Sequence, residues 1–303
     1  MTTTTTPSAP TASSASTAAQ ARSRRASRLK SLRRLPGHIG VGILLLLVIY
    51  PMVWILLGSF KSKDEFLSEP FWSLPSSWNL DNYVSAFVDG GLGTYIRNSV
   101  VAVFPSLLII IVIGVAAAFA LEILVWKGRG AVLLMFLAGI MVPAQMILLP
   151  LFTVYFKTGL SNSMWPLVIT YVAIGLPLTV FMLATYMRSI PREVFEAATI
   201  DGANIFRMFW SIAVPLTRNA IFTVALVQFF FLWNDLLIAL TFVTKADLRT
   251  IQVGLLNFTG QYGAVDYGPL FAGISVSVFG TFLLYLFLNK KIMAGLTAGS
   301  VKG

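Results

Sequence analysis

The sequence of 303 residues contains no cysteine and only one histidine, His38. The absence of cysteine excludes disulfides, thiolate metal sites and cysteine catalysis, and a single histidine cannot form a metal cluster by itself. The motif G-x-x-x-x-G-K-[ST], which cradles the phosphates of ATP, is also absent. We therefore expect this chain to have no catalytic residue, no bound metal and no cofactor of its own.

Charged residues are scarce as well, at 11% of the chain, whereas hydrophobic residues make up 57%. A transmembrane helix needs about 20 mostly apolar residues. Six segments reach that length: 39–60, 97–125, 131–156, 163–187, 213–243 and 268–289. Because backbone groups in hydrocarbon must be paired within their own segment, the sequence predicts an all-α membrane protein with a bundle of six transmembrane helices.

The positive charges are distributed unevenly. When the N-terminus is placed in the cytoplasm, most of the 22 lysines and arginines fall on the inner side, which predicts a multi-pass protein of the cell membrane with both termini cytoplasmic. This bias accounts for the net charge of +10, so nucleic acid is not an expected partner. Residues 1–35 are poor in large apolar side chains and rich in arginine; they are predicted to be a disordered basic tail that lies against membrane lipid.

A polar stretch, Arg192 to Pro215, interrupts the apolar segments and has internal order. Pro191 favours a helix start, and Glu193 and Glu196 in the early turns complement the helix dipole. Gly202 permits a backbone turn that other residues resist. The stretch therefore predicts a short helix, a sharp bend and re-entry into the membrane, and a helix of this kind can also lie at the interface without a partner.

The spacing within this stretch is also distinctive. Glu196-Ala197-Ala198 is followed by Gly202, then by Ile212 and Pro215 at fixed distances. This spacing resembles the signature loop of the membrane subunits of ABC importers, with Val214 where that family usually has leucine. In the family the loop forms the helix that docks on the cytoplasmic ATPase. The resemblance implies a coupling loop at 189–212, with these ATPase-coupling residues: Glu196, Ala197, Ala198, Asp201 and Gly202.

The resemblance extends over most of residues 36–303. The end of the chain, AGLTAGSVKG at 294–303, resembles the tail of maltose-transporter-like permeases that import carbohydrates, with Ser300 in place of alanine. Further similar runs are SFKSKDEF at 59–66, NLDNY at 79–83, MVPAQMILLPLF at 141–152, WND at 233–235 and TIQVGL at 250–255. Residues 36–303 are thus interpreted as one permease domain of the type I ABC importer kind, with an outer loop at 61–96.

Membership in such a family implies several partners. They are a second, related permease subunit, an ABC ATPase dimer that carries ATP and Mg²⁺, an extracytoplasmic solute-binding protein and a carbohydrate substrate. A bacterial cell membrane is the expected location. The outer loop either covers the bundle or contacts the binding protein, and the sequence leaves both interpretations open.

Polar side chains at membrane depth are candidates for the substrate path. Asp235 lies in an apolar run beside Trp233 and Asn234, and a carboxylate at that depth usually faces a bundle interior or water. An aromatic face with amide and carboxylate groups suits sugar binding, whereas a hydrogen-bond cluster that holds helix geometry is the alternative. Gln145 and Gln228 complete the candidates.

Other side chains have expected structural roles. Glu122 is expected at the inner end of the second helix, within reach of Lys127 or Arg129. Prolines in the third and fourth segments are expected to bend those helices, and such bends often line a cavity. They are Pro143, Pro150, Pro166 and Pro177.

The expected function is that of the permease subunit of an ATP-binding-cassette importer of a carbohydrate, energised by a separate ATPase. Within this class the solute is alternatively a glycerol phosphate or another polyol. From other classes, the alternatives are an ion-coupled secondary transporter that uses Asp235 and a non-transporting assembly subunit.

Overall fold

The computed structural model describes residues 37–70, 72–258 and 265–300, without the side chains of Leu284 and of residues 287–300. The predicted disordered tail at 1–35 and the last three residues of the C-terminal motif lie outside this described set. The chain divides into two compact units, Met1–Leu57 and Gly58–Gly303. The described residues of the first unit all lie in helix α1, Gly37–Gly58, whose last residue already belongs to the second unit. The second unit contains the remaining helices.

In its described residues, the second unit consists of helices that are connected by turns and short loops. Its α-helices are α2 (Lys63–Ser68), α3 (Asp81–Val88), α4 (Leu92–Glu122), α5 (Arg129–Ile140), α6 (Ala144–Lys157), α7 (Trp165–Arg188), α8 (Arg192–Ile200), α9 (Ile205–Met208), α10 (Val214–Trp233), α11 (Leu237–Phe242), α12 (Ile251–Leu255) and α13 (Tyr267–Ser300). A π-helix at Phe209–Ala213 joins α9 to α10. Short 3₁₀ turns lie at Leu160–Asn162, Ala246–Leu248 and Leu256–Phe258.

The predicted all-α membrane fold is confirmed. Among the described residues, four helices are long and apolar enough to cross a membrane: Gly37–Gly58, Leu92–Glu122, Trp165–Arg188 and Ile205–Trp233. The third predicted segment is not one straight helix, since α5 and α6 meet at a bend of 95°. Counted as one span, the bent pair would be a fifth crossing, and the shorter apolar helix Tyr267–Leu283 lies in the sixth predicted segment.

Only one of the four prolines interrupts its helix. Pro143 is the N-cap of α6, with an extended backbone at φ −63° and ψ 127°, and the chain turns there. Pro150 and Pro177 lie inside continuous helices, and Pro166 occupies the first turn of α7, where its missing N–H has no intrahelical partner to lose.

Helices α4 and α7 form the most extensive helix pair, and α10 packs against both. Two glycines allow their close approach. A Cβ atom added to Gly114 would lie 2.5 Å from Cγ2 of Thr179, and one added to Gly175 would lie 2.7 Å from Cδ1 of Ile110. Small residues at a helix contact are the usual means by which membrane helices pack closely.

Three buried clusters follow one another along the second unit. The cluster at the end that carries α8, called here the coupling end, joins α4, α7, α8 and α10 and includes Phe119, Met187, Phe195 and Ala213. The middle cluster is centred on Tyr171 and Phe229. The third cluster lies at the opposite end, called here the cap end, and joins α3, α4, α12 and α13.

The cap end carries the predicted outer loop, which is compact. Ser59 and Tyr83 share a hydrogen bond of 2.8 Å between their hydroxyls, and the side chain of Asn82 donates to the carbonyls of Ser59 and Lys61 at 2.9 and 2.8 Å. These contacts join the start of the loop to α3. The loop is therefore an ordered cap on the bundle, which agrees with one of the two interpretations that the sequence left open.

Glu65 holds the middle of this cap. Its carboxylate accepts the backbone N–H of Ser62 and of Ser76, each at 2.6 Å. With the side chain of Ser62 accepting from the N–H of Glu65, this contact forms a capping box at the start of α2. Hydrogen bonds from the side chain of Ser76 and from these backbone amides lower the pKa of Glu65 from its ordinary value of 4.5 to about 2.

We predict that the cap resists acid because of this carboxylate. Since the pKa of Glu65 is lowered in the folded state, its stabilising contribution is complete above pH 4.5 and is lost as the pH falls through about 2. Hydrogen exchange of the amides at positions 62–76 measures the effect. In Glu65→Gln, which has one acceptor oxygen in place of two, protection should already be reduced at neutral pH. Equal protection in both proteins would contradict this role.

Candidate functional site

Helix α8 is anchored to the bundle by one face. It begins after Pro191, which is its N-cap, and Glu193 lies in its first turn. Phe195 is buried with 7% of its surface exposed, and its ring lies 6.5 Å from that of Phe119 in α4. Phe119 in turn contacts Phe209 at 5.3 Å. This aromatic contact fixes α8 against the coupling ends of α4 and the π-helix.

The end of α8 is a Schellman motif centred on Gly202. The N–H of Ala203 donates to the carbonyl of Ala198 at 2.9 Å, and the N–H of Gly202 donates to the carbonyl of Thr199 at 3.0 Å. Gly202 has φ +77°, and an added Cβ atom would meet nothing within 4 Å. Glycine is therefore required here by the backbone conformation and not by a lack of space.

The chain then returns to the bundle without a loop. The side chain of Asn204 accepts from the N–H of Arg207 at 2.8 Å and caps α9. The π-helix Phe209–Ala213 follows, and within it the N–H of Val214 donates to the carbonyl of Phe209. The predicted short helix and sharp bend are thus observed, and the apolar helix Ile205–Trp233 begins directly after them.

Four of the five predicted coupling residues are exposed, namely Glu196, Ala197, Asp201 and Gly202. Ala198 is buried, with 9% exposure, and packs in the cluster at the coupling end. The exposed face of α8 also includes two apolar side chains that the sequence reasoning missed, Val194 and Ile200, which are 38% and 86% exposed. The spacing of Val194, Ala197 and Asp201 at i, i+3 and i+7 was the available signal.

The predicted contacts of Glu122 were wrong. Its carboxylate pairs with Arg188 at the end of α7, at 2.5 Å from Nη2 and 3.2 Å from Nε. Arg129 instead donates to the backbone carbonyl of Leu124 at 3.1 Å. The sequence suggested near neighbours of Glu122, whereas the packing of α4 on α7 brings a residue 66 positions away.

A cavity of about 190 Å³ lies beside this ion pair. It separates the end of α4 from α8, and both charged and apolar side chains line it. They include Glu122, Arg192, Glu196, Thr199 and Met208. One predicted coupling residue, Glu196, therefore faces both the solvent and this cavity.

The sequence suggested that Asp235 lies inside the fifth membrane helix. The structure places it outside a helix, between α10 and α11. The fifth predicted segment breaks after Trp233, and Asp235 precedes α11. Its carboxylate accepts the N–H groups of Ile238 and Ala239 at 3.2 and 2.9 Å, and the hydroxyl of Tyr171 at 2.9 Å. It thus caps α11 and joins that helix to α7.

Gln228 makes a second polar link between helices. It is 3% exposed, and its amide donates to the carbonyl of Gly175 and to the hydroxyl of Thr179, both at 2.9 Å. Gln228 and Asp235 line one cavity of about 340 Å³ that opens at the bend between α5 and α6. The bend at Pro143 was expected to line a cavity. The structure agrees, because Val142 and Ala144, on either side of Pro143, form part of the wall of this cavity.

Trp233 lines a different cavity, of about 300 Å³, between α4, α10 and α13. Its ring stacks on Phe229, with centroids 5.5 Å apart and an angle of 27°, and Phe104 lies 6.0 Å from Phe229. The indole N–H is buried and has no hydrogen-bond partner among the described residues. The hydroxyl-bearing residues Ser277 and Thr281 also line the cavity.

The remaining two candidates are exposed. Gln145 lies in the first turn of α6, and Asn234 donates to the carbonyl of Phe230 at 2.9 Å. The five predicted substrate-path residues are therefore not brought into one site. Gln228 and Asp235 line one cavity, and Trp233 lines another. Gln145 and Asn234 lie at the surface.

Comparisons with known proteins agree with this architecture. A family profile described as "Binding-protein-dependent transport system inner membrane component" matches residues 110–290. The chain is 37% identical over 257 residues to the diacetylchitobiose uptake system permease protein NgcG of Streptomyces coelicolor, covering 84% of this chain and 85% of that protein. It is 32% identical to the trehalose/maltose transport system permease protein MalG of Thermococcus litoralis, covering 90% of this chain and 98% of that protein.

A solved structure shares the fold. A chain from the crystal structure of a bacterial ABC transporter involved in the import of the acidic polysaccharide alginate superposes with a TM-score of 0.75. The match covers 87% of this chain and 97% of the other at 21% sequence identity. At that identity the likeness concerns the fold alone.

We predict opposite effects for alanine at two glycines that both have open space around them. Gly202→Ala places a side chain at φ +77° and should destabilise the end of α8 by about 1–2 kcal/mol. Gly130→Ala, in α5, meets nothing within 4 Å and has no positive φ, so it should be neutral or stabilise α5 by up to about 1 kcal/mol. Hydrogen exchange of residues 192–204 measures the effect at Gly202 and that of residues 129–140 the effect at Gly130. Unchanged protection of residues 192–204 in Gly202→Ala would contradict the proposed role of the φ angle.

Proposed function

This chain belongs to the family of binding-protein-dependent transport system inner membrane components, and from that membership we propose that it is the permease subunit of an ATP-binding-cassette importer of a carbohydrate. The named solutes of its relatives, diacetylchitobiose and trehalose or maltose, support the choice of a carbohydrate. Glycerol phosphate and other polyols remain the alternative solutes within the same class.

The observation that carries this proposal is the exposed face of α8. Helix α8 is held on one side by Phe195, and its other side exposes Glu196, Ala197 and Ile200. The helix lies outside the apolar spans. Such a face suits a protein partner better than lipid, because it combines a carboxylate with small and apolar side chains. Since the chain has no phosphate-binding loop, we propose that an ABC ATPase dimer binds ATP and Mg²⁺ and receives α8.

The proposed movement follows from the anchoring of α8. Closure of the ATPase dimer would displace α8, and the contacts of Phe195 with Phe119 would pass this displacement to α4 and to the π-helix. Rigid-body motion of packed helices is a common form of domain switching. The coupling role is thus assigned to Glu196, Ala197, Asp201 and Gly202 as the contact surface and to Ala198 as part of the anchor.

The orientation is proposed from the charge bias. With the coupling end in the cytoplasm, both termini are cytoplasmic and the cap lies outside a bacterial cell membrane. There an extracytoplasmic solute-binding protein would deliver the solute, and the structure of the alginate transporter was also determined in complex with such a periplasmic protein. A second, related permease subunit would complete the pathway.

Trp233 is the best placed of the candidate residues to contact a sugar. Its indole and the ring of Phe229 form an aromatic platform beside Ser277 and Thr281, and aromatic faces pack against the apolar faces of sugar rings. Asp235, in contrast, has a carboxylate that is already occupied by three donors. We propose that Asp235 positions α11 and α7 and does not bind an ion, which argues against the secondary-transporter alternative.

Reconstitution tests the function directly. The full assembly of both permeases, the ATPase and the binding protein, in proteoliposomes, should take up a labelled oligosaccharide only when ATP is supplied on the coupling side. Uptake should persist with an uncoupler of ion gradients, and Gly202→Val in this chain should abolish uptake. Uptake that an uncoupler abolishes would favour ion coupling, and normal uptake by Gly202→Val would contradict the coupling role of α8.

We further predict that substitution of Trp233 changes the apparent KM for the solute, whereas substitution of Asp235 changes the stability of the protein. Trp233→Leu should raise the apparent KM for the solute about threefold to tenfold, because an aromatic contact is lost while the helix remains. Asp235→Ala removes the cap of α11 and the partner of Tyr171, so it should lower stability by about 2 kcal/mol with KM unchanged. Thermal unfolding and uptake kinetics separate the two effects; Tyr171→Phe, which loses one of the three contacts, is the milder control.

A further inference from the structure

The cavity that Gln228 and Asp235 share has a volume of about 340 Å³, which is within the range of about 300–1,000 Å³ that small-molecule sites occupy. It lies among α5, α6, α7, α10 and α11. Of the described residues that line it, three have a polar side chain: Tyr171, Gln228 and Asp235. The hydrogen-bonding character of these three side chains therefore determines which ligand the cavity suits.

The contacts of Gln228 define the orientation of its side-chain amide. The amide nitrogen lies 2.9 Å from the carbonyl oxygen of Gly175 and 2.9 Å from the hydroxyl of Thr179. Since a backbone carbonyl can only accept a hydrogen bond, the group that faces it is the NH₂ and not the oxygen. Both amide hydrogens are thereby used. The oxygen Oε1 is left as an acceptor, and within the described part of the chain no group donates to it.

Gly175 leaves space beside this oxygen. A Cβ atom added to Gly175 would lie only 3.2 Å from Oε1 of Gln228, and both residues line the cavity. Although Gln228 is only 3% exposed, its Oε1 is not sealed from the cavity. An acceptor at this depth is unfavourable without a donor. We therefore expect a water molecule or a ligand hydroxyl to donate to Oε1.

The second polar feature of the cavity is a negative charge. Asp235 accepts two backbone N–H groups of α11 and the hydroxyl hydrogen of Tyr171, and all three donors are neutral. Among the described residues that line the cavity there is no lysine, arginine or histidine. The lining side chains thus offer acceptors and an uncompensated carboxylate, and none of them has a free donor.

From this pattern we infer that the cavity binds a neutral, hydroxyl-bearing unit of the solute and excludes anionic solutes, an inference that rests on the proposed transport of a carbohydrate. Gln228 accepts a hydroxyl hydrogen of the solute through Oε1. Asp235 makes no direct contact, because its oxygens are held by three donors, but its charge repels a carboxylate or a phosphate in the same cavity. A neutral sugar is therefore favoured over glycerol phosphate.

Other occupants fit these groups less well. An apolar chain of a lipid or of another subunit would leave Oε1 of Gln228 without a donor. A hard cation such as Ca²⁺ takes about six to eight oxygen ligands, whereas Asp235 is the only acidic side chain among the described lining residues. A sugar ring supplies hydroxyl donors together with an apolar face for the remaining wall of the cavity.

Thiol labelling tests the charge of the cavity without any transport. The chain has no cysteine, so Val142→Cys, at a lining position that is 52% exposed, gives this chain one thiol. In the assembled transporter, this thiol is treated with a cationic trimethylammonium-ethyl or an anionic sulfonatoethyl methanethiosulfonate, and labelling of this chain is followed by mass spectrometry. Relative to a free thiol in solution, the cationic reagent should react about fivefold faster than the anionic one.

Two aspartate variants control this measurement. Asp235→Asn, added to Val142→Cys, removes the charge and keeps an acceptor oxygen for α11, so the rate preference should disappear. Asp247→Asn removes the same charge from an exposed position outside the cavity, and the preference should remain. No preference in Val142→Cys, equal effects of the two aspartate variants, or a thiol that reacts with neither reagent would overturn the site.

Uptake kinetics test the hydroxyl acceptor. Gln228→Met keeps the length of the side chain and removes Oε1, so the apparent KM for the solute that the reconstituted assembly takes up should rise about fivefold. Thr179→Val is the matched control, since it removes one of the two hydrogen bonds of the amide and leaves Oε1 in place; its KM should be unchanged. An unchanged KM in Gln228→Met, or equal rises in both variants, would overturn the role of Gln228. If the assembly takes up no solute, the proposed function fails, whereas the labelling preference still reports the charge of the cavity.

Discussion

Backbone polar groups in hydrocarbon need partners within the protein, and this constraint determines where the polar side chains of the chain lie. Each interruption of a membrane helix leaves N–H groups without partners, and a side chain must then satisfy them. Asp235 does so at the start of α11, where it accepts two backbone amides. Polar residues at membrane depth thus mark the places where helices are broken or joined as well as the places where a solute can pass.

The same constraint makes the core of the bundle rigid. Gln228 joins α10 to α7, and Gly114 and Gly175 let α4 and α7 approach closely. The cluster at the coupling end then ties α8 to that rigid core through Phe195. An exposed helix on a rigid support is a suitable contact surface for a partner that moves the permease, because displacement of the helix cannot be absorbed by a flexible loop.

The features that depend on local rules could be predicted from the sequence. The start of α8 after Pro191, its end at Gly202 and the long apolar helices follow from backbone geometry and segment length, and the structure has them. The features that depend on neighbouring helices could not. Nothing within the sequence near Glu122 indicates Arg188, and the adjacency of Trp233 and Asp235 concealed that they line separate cavities. The break after Trp233 was also hidden, since an apolar run continues on both sides of it.

The π-helix at Phe209–Ala213 gives the long helix Ile205–Trp233 a point at which its register can change. A π turn holds one residue more than an α turn and stores it within the hydrogen-bonded helix. If that residue were released into the coupling segment, the lower part of the helix would turn by about one residue, roughly 100°, relative to the upper part. A register change at this π-helix would therefore reorient Trp210 relative to Trp233, whereas displacement of the whole helix would move both residues together.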